Sequence, residues 1–142
     1  MSPEGPTADE VRAALNRVLA SEAFRGARRS TDLLRYVVET SLASPGQPIK
    51  EYALGAEALG RGEKFDPRFD PIARVEASRV RTRLSQYYAT DGAADSVRIA
   101  LPKGGYTPAF RRDEQKFSHF DQAERWIERN VSKLKRVAGR RK

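Results

Sequence analysis

Hydrophobic positions recur at helical spacing in five stretches of this chain and alternate at strand spacing in one more. Val11, Leu15, Val18 and Leu19 stand three and four apart, which predicts a helix over about 8–22. Thr7 and Glu10 precede that run in a capping-box pattern. Leu33, Leu34, Tyr36, Val37, Val38 and Leu42 make the most apolar segment. They predict a second helix over about 31–43, capped by Ser30 and stopped by "SPGQP". Ile49, Tyr52, Ala53, Ala56 and Leu59 form the stripe of a third, over about 49–60. Gly55 inside it costs about 1 kcal/mol relative to alanine, so a close approach by another helix is expected there. In the turn-rich connection "RGEKFDPRFD", Phe65 and Phe69 are expected to fold back onto the core.

Asp70 then reads as a cap and Pro71 as the first position of a long helix running to Tyr88 or Ala89. Val97, Ile99 and Leu101 alternate as a strand, "PKGG" turns, and "YTPAF" returns as a second strand, short or at an edge because of Pro108. After Phe110 the chain is highly charged, with Phe117, Phe120, Ile127, Val131 and Leu134 at helical spacing. These predict an amphipathic helix over about 113–137, within a C-terminal segment 111–137, and then a basic tail 138–142. Residues 1–7 read as a loose start.

Composition narrows the function. The 142 residues suffice for one domain with a core and an accessory helix. Cysteine is absent and His119 is the single histidine, which excludes disulfides and thiolate sites and leaves little for His-based metal or catalytic clusters. No metal, catalytic residue or cofactor is therefore expected. No apolar run is long enough to span a bilayer, and "MSPEGPTADE" lacks the regions of a signal peptide. A cytoplasmic location is expected. With 27 Lys and Arg against 19 Asp and Glu, the net charge of +8 points either to a basic solvated surface or to a polyanionic partner.

The arrangement of charge favours the second. In "PIARVEASRVRTRLSQYY", Val80 and Leu84 turned inward bring Ala73, Ala77 and Tyr87 to the same face, with Glu76 at its edge. The outward face then receives Arg74, Ser78, Arg79, Arg81, Thr82, Ser85 and Gln86, with Arg83 at its margin and no acid. Arginine pairs bidentately with guanine edges or phosphates, glutamine with adenine, and hydroxyls with either. The plain alternative is a solvated or partner-binding face. Downstream, Arg98, Lys103 and Gly104 give the strand pair a basic tip. The arginines of "FRGARRS" read as solvated, with phosphate contact the alternative.

Taken in order, "KEY" at 50–52, Gly55, "FDPRFDPIARVEASRVRTRL" and "LPKGGYTPAF" resemble a bacterial winged helix-turn-helix. The likeness is to the effector domains of OmpR-like response regulators. It is closer to the N-terminal winged-helix domain of proteins that carry adenylate-cyclase or tetratricopeptide-repeat regions. It covers about residues 8–110. It implies a mainly α fold with a small β-hairpin, three to four helices plus the wing, to which the C-terminal amphipathic helix is added. It also implies a helix-turn-helix formed by about 49–60 and 71–89, a wing over 97–110, and sequence-selective binding of double-stranded DNA. The sequence holds no receiver, cyclase or repeat region, so a phosphorylation switch or nucleotide chemistry does not carry over, and a stand-alone regulator is expected.

The 113–137 stripe fits packing on the domain or pairing with a second copy equally, and spacing does not separate them. Trp126 lies off that stripe. Residues 133–142 carry six basic side chains and no acid, suited to tracking phosphates or simply to solvation. The expectation is a non-enzymatic bacterial transcription regulator, nucleoid-associated in the cytoplasm. The alternatives are a protein-interaction or oligomerisation module on the same scaffold, and a non-specific nucleoid protein. An enzyme finds no nucleophile–base pair and no phosphate-cradling glycine loop.

Overall fold

The computed structural model describes residues 5–113. The Thr7 hydroxyl accepts from the Glu10 amide (3.1 Å) and the Glu10 carboxylate accepts from the Thr7 amide (2.8 Å), so the expected capping box opens α1, Ala8–Leu19. The helix stops short of residue 22 because Ser21 turns extended and its hydroxyl bonds back to the Val18 carbonyl at 2.6 Å. A 3-10 turn, Glu22–Phe24, then drops Phe24 into the core.

The second helix, α2, spans Arg28–Ala43 and begins before the expected residue 31. Ser30 is therefore not a cap. It lies buried in the first turn, donating to Glu76 (3.1 Å) and accepting from Arg83 (3.2 Å). The third element, α3, is an α-turn, Glu51–Ala53, that widens into a π-helical segment, Leu54–Ala58, where the Leu59 amide bonds the Leu54 carbonyl. The wider winding rotates the expected stripe. Leu54 and Gly55 are buried and Tyr52 is exposed. What approaches Gly55 is the ring of Phe65, not a helix; a methyl group there would overlap that ring. Phe65 is buried as expected, but Phe69 is 82% exposed. The amides of Phe69 and Asp70 both bond the Asp66 carbonyl, and the Arg68 guanidinium lies 5.5 Å from the Phe69 ring centre on the outside.

Pro71, expected as the first helical residue, is instead the N-cap of α4, Ile72–Ala89, and Asp70 stands one residue before it, its carboxylate accepting from the Ile72 amide (3.1 Å). Ile72, Ala73, Ala77, Val80, Leu84 and Tyr87 form its buried face. Beyond Ala89, Gly92 sits under the Tyr87 ring and returns its amide to the Tyr87 carbonyl (2.7 Å). Strands β1, Val97–Ala100, and β2, Ala109–Arg112, pair antiparallel from Val97↔Arg112 to Ala100↔Ala109. The return strand starts later than "YTPAF" predicts, because Pro108 has no amide to give and the loop carbonyls before it are taken by α4. Arg111 and Arg112 belong to this hairpin and not to the C-terminal segment. Asp113 is described and is not helical; the rest of the expected 113–137 helix, the basic tail, His119 and Trp126 lie outside the described residues.

The chain is thus mainly helical with one small antiparallel sheet. A single core joins α1, α2, α4 and β1 through Val11, Leu15, Leu34, Val37, Val80, Leu84 and Ile99. Each such side chain contributes about 1.5–3 kcal/mol by leaving water. Among the described residues no helix is long and apolar enough to cross a membrane.

The far end of the hairpin is tied to α1 by Arg112, whose guanidinium nitrogens reach the two Glu10 oxygens at 2.6 and 2.8 Å. That pair, with the Thr7 amide, holds the Glu10 carboxyl at about 2, against an ordinary 4.5. A carboxylate depressed in the folded state stabilises fully above its unfolded value, and that stabilisation fades as pH falls through the folded value. The stability advantage of wild type over Glu10→Gln should therefore shrink as pH drops from about 4.5 to about 2. Chemical denaturation across that range checks it; parallel acid profiles for the two proteins would contradict it.

Candidate nucleic-acid interface

The solvent face of α4 is defined by what the core takes. With Val80 pointing inward, Val75, Ser78, Thr82 and Ser85 fall within about 40° of the direction straight out, and Arg74 and Gln86 about 60° from it. All six are exposed. Arg79 and Arg81 fall on opposite flanks, about 100° from Val80, and Arg83 lies nearer the core. The centre of the strip is therefore small and uncharged, and the guanidinium groups line its edges.

Each flank is tied down differently. On one, Arg81 Nε donates to the Leu101 carbonyl (2.8 Å), and its Nη2 donates to those of Pro102 (3.2 Å) and Gly105 (2.9 Å). This half-buried side chain pins the hairpin loop against α4. Arg74 reaches Glu51 (2.8 Å) and the Pro67 carbonyl (3.2 Å) on the same flank. Tyr106 lies beside them. Its hydroxyl pKa is raised, first by burial and then by the negative charge of Glu51. On the other flank, Arg83 donates to the Ala23 carbonyl (2.8 Å) and to Ser30. Arg79, 59% exposed, pairs with Glu76 at 2.8 Å. Glu76 is not at the edge of the inner face but inside it, 2% exposed.

The expectation of a face carrying unopposed arginines is thus corrected. Arg74 and Arg79 have carboxylate partners, and Arg81 and Arg83 are used within the fold. Arg98 is also committed. Its side chain is 18% exposed, bonded to Asp113 (3.1 Å) and the Ala93 carbonyl (2.9 Å), and stacked 4.8 Å from the Tyr88 ring centre. Burial raises the pKa of Tyr88, whose hydroxyl oxygen accepts the Ile99 amide. Lys103 and Gly104 stand exposed at the hairpin tip, where Gly104 takes a φ of +95° that side chains other than glycine rarely adopt.

Ser78, Thr82, Ser85 and Gln86 are placed together on the open strip as expected. Sequence reasoning missed Val75, 42% exposed in line with Ser78 and Thr82. Its spacing, three and seven residues before them, was the available signal. It also missed the long-range partners of Arg81 and Arg83, which no local pattern encodes.

Comparison of this chain with protein-family models, with curated proteins and with solved structures finds no match.

Arg81→Ala should free the hairpin loop. Amide exchange at Leu101–Gly105 should rise, with a loss of about 1–3 kcal/mol in stability for the unmade charge-assisted bonds. Arg81→Lys should not restore protection, because an ammonium cannot span three carbonyls as a planar guanidinium does. Unchanged exchange in both variants would contradict the pinning.

Proposed function

We propose that this protein binds double-stranded DNA sequence-selectively, with α4 as the recognition helix of a winged helix-turn-helix and the β-hairpin as its wing. On this reading it works as a bacterial transcription regulator in the cytoplasm and performs no chemistry. The observation that carries the reading is the strip Val75, Ser78, Thr82, Ser85 and Gln86 on α4, open to solvent and free of exposed acid. A helix with side chains is about 10–12 Å across and the major groove about 12 Å wide, so small central side chains let it seat deeply.

In that docking Ser78, Thr82 and Ser85 bond base edges or phosphates, and Gln86 pairs with adenine. Val75 meets a thymine methyl group. Arg79 is the guanidinium best exposed to reach a guanine or a phosphate, because its single partner, Glu76, holds it from below. Arg74 exchanges Glu51 for phosphate at the entry of the groove. Lys103 holds the wing to the backbone, where the bare Gly104 admits a phosphate closely. Arg81, Arg83 and Arg98 hold the parts in position.

A second reading, a protein-interaction module, is favoured by Phe69. It stands 82% exposed in the loop ahead of α4, with the Arg68 guanidinium over its ring, and aromatic and arginine side chains are enriched at protein interfaces.

Selection from a random duplex library at about 150 mM salt, which weakens purely electrostatic binding, tests the two. The expected result is an enriched motif. Affinity for it should fall on Arg79→Ala with Thr82→Ala, by about 1–3 kcal/mol for each side chain that no longer bonds a base. Replacing thymine by uracil in the motif should weaken wild type and leave Val75→Ala unaffected. No enrichment, with binding that vanishes as salt rises, would contradict the reading and leave a non-specific nucleoid protein or protein docking.

A further inference from the structure

Most arginines among the described residues have a carboxylate within reach. Arg12 pairs with Glu39, Arg17 with Asp95, Arg61 with Asp70 and Arg68 with Asp66. Among the described residues Arg28, Arg29, Arg35, Arg81, Arg83 and Arg111 have no such partner, and three of these meet at one place. A cavity of about 270 Å³ between the first turn of α2 and the flank of α4 is lined by Arg28, Arg29, Arg79 and Arg83, and by Glu76 as its one carboxylate. Glu76 is engaged by Arg79 and Ser30. Arg83 is bonded to neutral oxygens, those of Ser30 and Ala23, which take two of its five donors and supply no countercharge. Arg28 and Arg29 are exposed and make no ion pair with the described residues.

Three of the four arginines that line the cavity have no carboxylate partner among the described residues, so positive charge is in excess there and an anion seated among them relieves the repulsion. Planar guanidinium groups match the paired oxygens of a phosphate, donating two bonds per group. The cavity adjoins a second recess lined by Ser78, Arg79, Thr82, Arg83 and Gln86, so it is continuous with the open strip of α4. It lies on the flank opposite the hairpin, which Arg81 secures.

We infer that Arg28 and Arg29, with Arg79 and Arg83, form a phosphate-binding flank that takes the phosphodiester backbone of duplex DNA on the side of α4 away from the wing. The inference rests on the reading of α4 as a groove-binding helix and adds to it. The two backbones that border one major groove are then held by different parts of the fold, the hairpin tip on one side and the start of α2 on the other. Contacts of this kind position the helix without reading sequence.

The test measures binding of the full chain to a fluorescein-labelled duplex of random sequence, about three helical turns long, over a salt series. Each phosphate neutralised contributes about 0.9 to the slope of log K against log salt. Arg28→Gln with Arg29→Gln should lower the slope by about 1–2, with an unchanged melting temperature since neither side chain supports the fold. Arg28→Lys with Arg29→Lys should keep most of it. Arg35→Gln, exposed on α2 but outside the cavity, should leave it unchanged. A wild-type slope in the double Gln variant would overturn the flank while leaving the groove-binding reading intact. A slope lowered as much by Arg35→Gln would overturn it too, in favour of diffuse charge. Wild-type protein that fails to bind DNA at low salt would overturn both.

Discussion

A half-buried guanidinium must find acceptors for its donors, and α4 turns that requirement into architecture. Two of its half-buried arginines leave the helix on opposite sides and meet chain segments far away in sequence. Arg81 gathers three carbonyls of the hairpin loop. Arg83 takes the Ala23 carbonyl and the Ser30 hydroxyl. Without the first, a hairpin of four-residue strands has little to hold its tip beside the helix. Without the second, the 3-10 turn loses its bond to α4, and the start of α2 is left with the single Ser30–Glu76 bond. The open strip between them is therefore bounded on both sides by parts that cannot drift.

This division of labour separates two kinds of basic side chain that net charge alone merges. Arg81, Arg98 and Arg112 are bonded within the fold, where they fix its geometry, and Arg83 is bonded there too while lining the cavity beside α2. Arg28, Arg29 and Lys103 are exposed and without an ion pair among the described residues. Arg74 and Arg79 stand between, each with one carboxylate. The exposed cationic groups thus stand at the margins of α4, while its centre is hydroxyl, amide and one valine. Charge placed at the edge and small groups at the centre suit a polyanionic groove, whose walls are charged and whose floor is read by short side chains.

Much of the fold was legible. The capping box at Thr7, the inner face of α4 and the alternation of Val97, Ile99 and Leu101 are local patterns, and the structure keeps them. Ser30 misled because a serine before an apolar run fits a cap as well as a buried hydroxyl; only Glu76, far along the chain, decides between them. The π-helical winding at Leu54–Ala58 moved a stripe that α-helical spacing had placed elsewhere. Phe69 escaped the rule that aromatic residues are buried because the Asp66 carbonyl turns its backbone outward. For the candidate site, helical geometry identified the exposed strip. It could not say which arginines were already occupied, since their partners lie on the hairpin and near the start of α2.

The central claim is that the outer strip of α4 meets duplex DNA with the hairpin tip and the start of α2 on either side. Amide chemical shifts followed by NMR while duplex DNA is added test it most directly. The account predicts perturbations concentrated at residues 74–86, at Lys103 and Gly104, and at Arg28 and Arg29, with the exposed side of α1 unmoved. Shifts confined to α1 or to the loop around Phe69, or no shifts at all, would contradict it.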